Sequence, residues 1–447
     1  MRENGFLIEN GVLQEYAGTD AEVVVPAGVT KIGLGAFEKC KTLRRVTVQK
    51  GVKSIGISAF ESCPALTEVV LPEGLEKIDF DAFKGCRALQ HISLPCSLSS
   101  LDFDVFEDCT ALVYTVCEGV KYLGNTQNPY VVCMGTVDKD IEKADLQAGT
   151  KIIYCNAFDG CRRLANVTLP QGLLQIGYQA FYDCAQLQEI TVPEGVTTLA
   201  SCAFEGCEAL HRLSLPATLV HVGAWAIPYS PALRCNEYAG GKYLGNAAAP
   251  YTVLVRSDGS ALLSLHRDTK IVLDHACYQN KLLREVVFPA GTVEIGEHAF
   301  TECKNLTSVA LPEGLIRIGE GAFSSCTKLQ ISAFPNTLQE IGSNAFFDCA
   351  ALCKELTLAC STVGSYAFYS CASLRTLTIK EGVSFIDDYA FGDCLSLEHV
   401  TLTSGRLGEA VFSDCTALTE ATLAESVWSS LPEDTFEECV DVKILPC

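Results

Sequence analysis

His91 stands 23 residues after Glu68 and 23 before Tyr114, and Arg45 stands 23 before Glu68. A glutamate, a histidine and a tyrosine brought side by side could relay a proton, the basis of general acid–base catalysis. Asn166, Glu189 and Arg212 repeat the spacing further along. The same residue types also make a cross-strand ladder of opposite charges and hydrogen bonds on a solvated sheet face. Nothing around them implies a deep pocket or lid, so the ladder is the expected reading. Later members of the row are short or neutral: Ser308 and Ala310, then Thr376 and Thr378, with His399 and Thr401 beyond.

Other chemistry finds less support. The chain has 24 cysteines but no C-x-x-C pair, and its seven histidines show no H-E-x-x-H or finger spacing. Zinc therefore has no ligand set here. G-x-S-x-G, the phosphate-binding G-x-x-x-x-G-K-[ST] and an acidic calcium loop are all missing from the sequence. Asn166-Val-Thr and Asn305-Leu-Thr match a glycosylation sequon but fall on repeat strands, so they read as by-products of the repeat. The expectation is a chain that is not an enzyme and needs no metal or cofactor.

What must position these rows is an internal repeat. Phe37, Phe60, Phe83 and Phe106 lie 23 apart; Phe158, Phe181, Phe204 and Ile227 follow at the same step. Cys277, Phe300, Phe323, Phe346, Phe368, Phe391, Phe412 and Phe436 complete sixteen units, with steps of 21 to 24. Each has an aliphatic residue five positions earlier, from Ile32 to Leu431, and fourteen place Cys three positions later, from Cys40 to Cys439. In LTEVVLPEG, Leu66, Val69 and Leu71 point inward while Glu68 and Val70 point outward, the last two of the inward set at the strand period. Pro72 then ends the strand, having no N–H for a ladder, and Gly74 allows a tight turn. One such coil cannot bury its apolar edge alone, but a stack shares a continuous core. This predicts a parallel β-solenoid of leucine-rich-repeat type, in which positions 23 apart sit on neighbouring strands.

These residues resemble the BspA-like bacterial leucine-rich repeats, whose hallmark is LPxxLxxIgxxAFxxC. The resemblance covers nearly the whole chain. Ile227 and Cys277 depart from it at the aromatic, Ser230 and Asn280 at the cysteine, and Ser332 in QISAFP puts a polar residue at an inward position. It implies surface-exposed or secreted adhesion and interaction proteins that bind host matrix proteins or other cells.

Composition pulls partly the other way. Fourteen cysteines fall on one column and read as small apolar plugs, but ten lie off it, including Cys96, Cys117, Cys133, Cys155, Cys202 and Cys447. So many thiols fit a reducing compartment better than an oxidising one. The N-terminus, MRENGFLIENGVLQEY, has no basic segment leading into an apolar core, and LPEDT at 431–435 is one residue away from an LPxTG anchor. No apolar run approaches the roughly 18 residues that span a bilayer. The net charge of −21 works against nucleic acid and anionic lipid.

The rhythm breaks twice, and both breaks carry the same words: KYLGNTQNPY at 121–130 and KYLGNAAAPY at 242–251, 121 residues apart. Two alternating runs around an Asn-rich turn ending in Pro predict a hairpin. On one reading Tyr122, Tyr130, Tyr243 and Tyr251 are exposed anchors for a partner, since tyrosine is favoured at interfaces. On the other they cover a coil edge where the usual closure is missing, and this is the expectation. Asn10-Gly11 predicts another hairpin. The divisions are thus a hairpin cap (1–30), repeat block one (31–116), insert one (117–148), block two (149–234), insert two (235–270) and block three (271–447). VDVKILPC ends on the strand of an unfinished coil, which suggests that this end is shielded by self-association or by a further segment.

The leading functional reading is a non-catalytic scaffold, an adhesin holding a protein partner on its concave sheet and inserts. The runner-up is an intracellular structural or recognition repeat protein, and an enzyme built on the His91 row comes last.

Overall fold

The computed structural model describes residues 2–440 and 442–447 as a β-solenoid with 40 short strands and one four-residue helix, Glu425–Trp428. The chain forms two compact units, residues 1–219 with 225–234 and residues 220–224 with 235–447.

Unit 1 begins with an antiparallel cap. Strands Arg2–Glu3, Phe6–Glu9 and Val12–Tyr16 pair in succession, and the last then runs parallel to Lys31–Ile32, Ser54–Ile55, Lys77–Ile78 and Ser100–Leu101. The second face is a parallel sheet of Glu22–Val24, Arg45–Thr47, Glu68–Val70 and His91–Ser93. Only the middle residue of each of these three-residue strands is buried, as alternation requires: Val23, Val46, Val69 and Ile92. Between the sheets Phe37, Phe60, Phe83 and Phe106 stack face to face, with centroids 4.7, 5.1 and 5.9 Å apart. Each ring is deeply buried, and burial of such a side chain contributes about 1.5–3 kcal/mol.

The thiol column is more than a plug. Twelve of its cysteines donate S–H to the backbone carbonyl of the core residue in the preceding coil, as Cys63 does to Phe37 at 3.1 Å and Cys86 to Phe60 at 3.0 Å. The first coils of blocks two and three use other partners. There Cys161 meets the Thr136 hydroxyl at 3.7 Å, and Asn280 stands in place of Cys. The Asn280 amide donates to the Ser260 carbonyl and its oxygen accepts the Leu282 and Leu283 N–H groups.

Each interruption is a new cap. Strands Thr115–Cys117, Val120–Leu123 and Val132–Thr136 pair antiparallel, and the last runs parallel to Ile152–Ile153, which reopens the short-strand sheet. In unit 2 Asn236–Tyr238, Gly241–Leu244 and Val253–Ser257 repeat this, ending parallel to Ile271–Val272. The hairpin around NTQN and NAAA is therefore present, with one strand more than the sequence reading held. That strand turns at Glu118-Gly119 and Ala239-Gly240, both with positive φ at each residue (48° and 78°, 43° and 82°), the geometry of a tight hairpin turn. Glu and Ala are poor advertisements for such a turn, which is why the strand went unread. Parallel pairing resumes at Lys143–Asp145 and Leu262–Ser264, inside the segments read as inserts, on strands that lack the Leu-Pro ending.

A side chain finishes the short-strand sheet of block one. The Gln175 amide donates to the Leu101 carbonyl at 2.9 Å while its oxygen accepts the Leu101 N–H at 3.0 Å, so one residue serves both backbone groups. At the corresponding place in unit 2, Glu294 accepts the Val222 N–H at 3.0 Å and lies 2.7 Å from His221 Nδ1. Its side chain is 1% exposed, and Arg317 supplies the counter-charge at 2.9 Å while reaching Glu340 at 3.1 Å.

In unit 2 the three-residue-strand sheet is broken. Leu262–Ser264, Glu285–Val287 and Ser308–Val309 form one piece; Glu355–Leu358, Thr376–Ile379, His399–Leu402, Glu420–Leu423 and Lys443–Pro446 form another. Between them Gln330 still bridges Ser308, and the chain then leaves the sheet path over residues 331–335. Ser332 was expected to point inward and is instead exposed. Ile331 is buried, and Phe334 packs edge-on against Phe346 and Phe368 at 5.4 and 5.9 Å. Turning Ser332 outward spares its hydroxyl the cost of burial without a partner.

Candidate functional site

The first row forms where the repeat places it. Arg45, Glu68 and His91 are directly opposite one another on parallel strands, with Glu22 ahead of Arg45. Arg45 Nη2 lies 3.3 Å from Glu68 Oε1, an exposed pair of the kind that contributes little. Tyr114 leaves the row. The Val113 N–H still bonds the Gln90 carbonyl at 3.0 Å, but Thr115–Cys117 then turns away to pair with the insert. The Tyr114 ring ends up half-buried beneath Lys121, whose Nζ lies 5.8 Å from its centroid. Burial raises the pKa of its hydroxyl above the ordinary tyrosine value.

This detour makes a recess that the sequence reading did not foresee. Insert one folds beside the edge strand His91–Ser93 and encloses about 350 Å³ among Glu68, His91, Ser93, Tyr114, Thr115 and Asn125. Glu68, His91 and Tyr114 thus share one site. Among the described residues no hydrogen bond links the three, and the Glu68 carboxylate is engaged by Arg45. The recess presents a carboxylate, an imidazole and hydroxyls, rather than an assembled proton relay.

Asn166, Glu189 and Arg212 are likewise opposite one another in unit 1. Arg212 Nη1 lies 3.7 Å from Glu189, and His211, which sequence reasoning missed, lies 3.3 Å from the same carboxylate. A depression of about 290 Å³ runs past Glu189 between Thr168 and Thr191.

The insert tyrosines divide into two pairs. Tyr122 and Tyr243 are 0% exposed and cannot be surface anchors, which corrects that reading for both. Val120 and Tyr122 alternate inward on Val120–Leu123, so the ring plugs the restarting coil. Burial raises the Tyr122 hydroxyl pKa well above its usual value and pushes Tyr243 up to about 12. Tyr130 and Tyr251 are half-buried and meet Tyr122 and Tyr243 edge-on, with centroids 5.2 and 5.6 Å apart. In unit 2 Tyr251 also lies against His266 at 4.2 Å and Tyr238 at 5.7 Å. Tyr238 was missed because it sits on the strand that went unread.

The Leu-Gly-Asn that follows each buried tyrosine is turn chemistry. A Cβ on Gly124 would overlap the Asn128 carbonyl oxygen, and one on Gly245 the Ala249 carbonyl oxygen. Asn125 Oδ1 accepts the N–H groups of Gln127 and Asn128 at 2.9 Å, and Asn246 does the same for Ala248 and Ala249. The Asn125 amide also donates to the Leu94 carbonyl at 3.0 Å, pinning the loop over the edge of block one.

None of the 24 cysteines is in a disulfide, and sixteen are buried. Burial pushes Cys109, Cys133 and Cys303 up to about 12 and Cys360 to about 11. The thiolate needed for nucleophilic or metal-binding work is therefore disfavoured at these positions, on the column and off it.

A family model described as the BspA type leucine rich repeat region, in six copies, matches residues 15–128, 137–241, 271–359 and 354–446. No curated protein sequence matches the chain. Among solved structures, a leucine-rich repeat protein from Bacteroides ovatus ATCC 8483 aligns over 100% of this chain and 97% of its own, at 20% identity and a TM-score of 0.31. A leucine rich cell surface protein from Faecalibacterium prausnitzii A2-165 aligns over 97% of both chains, at 22% identity and a TM-score of 0.29. The pneumococcal vaccine antigen PcpA aligns over 99% of this chain and 98% of its own, at 17% identity and a TM-score of 0.29. Among the described residues no helix is long and apolar enough to cross a membrane.

Proposed function

The chain belongs to the BspA-type leucine-rich repeat family, and from that premise we propose that it is a non-catalytic scaffold that holds a protein partner. The partner class that the family resemblance implies is a host matrix or cell-surface protein, which would make the chain an adhesin. The observation that carries the binding reading is the accessible recess beside His91–Ser93, where Glu68, His91 and Tyr114 stand among apolar walls that include Val113, Leu123 and Pro129. The row Arg45–Glu68–His91 extends that surface along block one. Asn166, Glu189 and Arg212 extend it along block two, and Tyr130 and Tyr251 remain as half-buried insert contacts. The divisions at 1–30, 31–116, 117–148, 149–234, 235–270 and 271–447 belong to the same proposal, with each insert restarting the solenoid. Self-contact through the final coil would use Lys443–Pro446, the edge strand of its sheet.

The test is surface-plasmon binding of purified matrix proteins to the full chain and to Glu68→Ala/His91→Ala and Tyr114→Ala variants. At least a tenfold loss of affinity in the variants is expected. Binding that ignores both variants would remove the recess from the proposal. A second reading, an intracellular recognition repeat, is favoured by 24 cysteines that stand outside any disulfide. A capture of intracellular but not extracellular proteins, sensitive to the same variants, would select it.

A further inference from the structure

Three positions before the first six core aromatics, unit 1 carries Leu34, Ile57, Phe80, Phe103, Cys155 and Tyr178 on successive coils, and Ser201 ends the run. The backbone keeps them in line. The Ile57 and Phe80 carbonyls accept the N–H groups of Gly35 and Ser58 at 3.0 Å, and the Tyr178 carbonyl accepts that of Asn156 at 2.9 Å. Cys155 is buried, but Leu34, Ile57, Phe103 and Tyr178 are 71%, 45%, 46% and 37% exposed. Half-buried Phe80 meets Phe103 edge-on at 4.4 Å, and Phe103 lies 5.9 Å from Tyr178. The result is a continuous apolar stripe. Coil closure does not demand it, because unit 2 has Asp274, Glu297, Glu320, Ser343, Ser365, Asp388 and Glu409 at the same position. There the same ladder forms, with the Glu297 and Glu320 carbonyls accepting from His275 and His298 at 2.9 and 2.7 Å. A contiguous apolar surface that the fold does not need marks an interaction site.

The rim says what kind of partner it suits. Beside the Phe80–Phe103 pair, carboxylate oxygens of Asp81, Asp104 and Glu107 all lie within 4.8 Å of one another. Lys84 is the cation among them, 2.6 Å from Glu107 and 3.4 Å from Asp81, which leaves three carboxylates to one ammonium. On the opposite border Lys77 is engaged by Asp79 at 2.6 Å and Asp102 at 3.6 Å. Burial, then Glu107, raises the pKa of Asp104, so added positive charge there would be favourable. An anionic lipid surface would be repelled by this rim and by the chain's net charge of −21. Five coil steps of ~4.8 Å give a stripe ~24 Å long, the length of a helix of about 16 residues.

We propose that this stripe docks a basic amphipathic helix of a partner protein, its apolar face on Ile57, Phe80, Phe103 and Tyr178 and a Lys or Arg against Asp81, Asp104 and Glu107. The surface is separate from the recess at His91, and neither proposal depends on the other.

The experiment uses the full chain and two fluorescein-labelled synthetic 18-residue helices, one of Leu and Lys in amphipathic order and one with Glu in place of Lys, read by anisotropy. The Leu–Lys helix is expected to bind and the Leu–Glu helix to bind at least tenfold more weakly. Ile57→Ser/Phe103→Ser should weaken the Leu–Lys helix at least tenfold. Because it leaves the charge unchanged, general attraction to an acidic chain is subtracted. Asp104→Asn/Glu107→Gln should weaken binding several-fold and flatten its salt dependence. Serine occupies this position at Ser343 and Ser365, so the variant should keep its circular dichroism and melting curve. Equal binding of both helices, or binding indifferent to the serine variant, would overturn the proposal. So would a dimer of the unliganded chain, dissolved by that variant in sedimentation equilibrium, which would assign the stripe to a second copy.

Discussion

The restart at Thr115–Thr136 in unit 1 and the restart at Asn236–Ser257 in unit 2 have the same three strands, the same buried tyrosine and the same Asn-stapled turn. They differ in how the neighbouring short strand is held. Unit 1 uses the neutral amide of Gln175 on Leu101, and unit 2 uses the buried carboxylate of Glu294 on Val222, with His221 and Arg317 around it. The outward column differs too, apolar over most of unit 1 and acidic or serine in unit 2. Shape in this solenoid is thus set by what must be buried and where the chain must turn. The means of sealing an edge, and the chemistry shown to solvent, vary within one chain.

The sharpest way to break the likeness is to remove the plugs. Tyr122→Ser and Tyr243→Ser should each cost about 3–5 kcal/mol, as large-to-small core changes do, and by similar amounts in denaturant unfolding. An unchanged melting curve for either would mean the ring is not the seal. Next comes the difference in the seams. Glu294→Ala should cost about 3 kcal/mol, because it strips a buried charge partner from Arg317, whereas Gln175→Ala should cost about 1–2 kcal/mol. A larger loss at Gln175 would invert the comparison. Glu294→Gln, which imports the amide of unit 1, should fall between wild type and Glu294→Ala.

The outward column gives the smallest effects. Burial, then Asp274 and Glu320, raises the folded-state pKa of Glu297. The folded chain therefore binds this proton more readily than the unfolded chain, and stability falls as pH rises through that range. Glu297→Gln should stabilise unit 2 slightly at neutral pH, with the gain fading as the carboxyl protonates in acid. A gain that grows on acidification would contradict the sign. Ile57→Ser should move stability by no more than about 0.5 kcal/mol; a larger loss would show the stripe to be structural after all.

The period-23 register of Arg45, Glu68 and His91 was legible in the residues themselves, and so was the stack of Phe37, Phe60 and Phe83. Both follow from one coil repeated, where sequence spacing and spatial neighbourhood are the same quantity. Legibility failed where contacts left the period. Tyr114 obeys the spacing yet leaves the row, because the next strand pairs with an insert of opposite direction. Gln175 and Glu294 sit at ordinary strand positions and gave no sign of serving backbone groups 74 and 72 residues away.

By itself, then, the sequence determined the coil, its core column and the two places where the coil restarts, since alternation, proline, glycine and buried aromatics act over a few residues. Tertiary structure alone decided which tyrosines of KYLGNTQNPY and KYLGNAAAPY are hidden. It also decided that a recess opens at His91, and which side chains seal the strand edges. Those outcomes depend on unfilled backbone hydrogen bonds and uncovered apolar surface brought together by segments distant in sequence, and each is settled by whichever side chain reaches them once the coils are stacked.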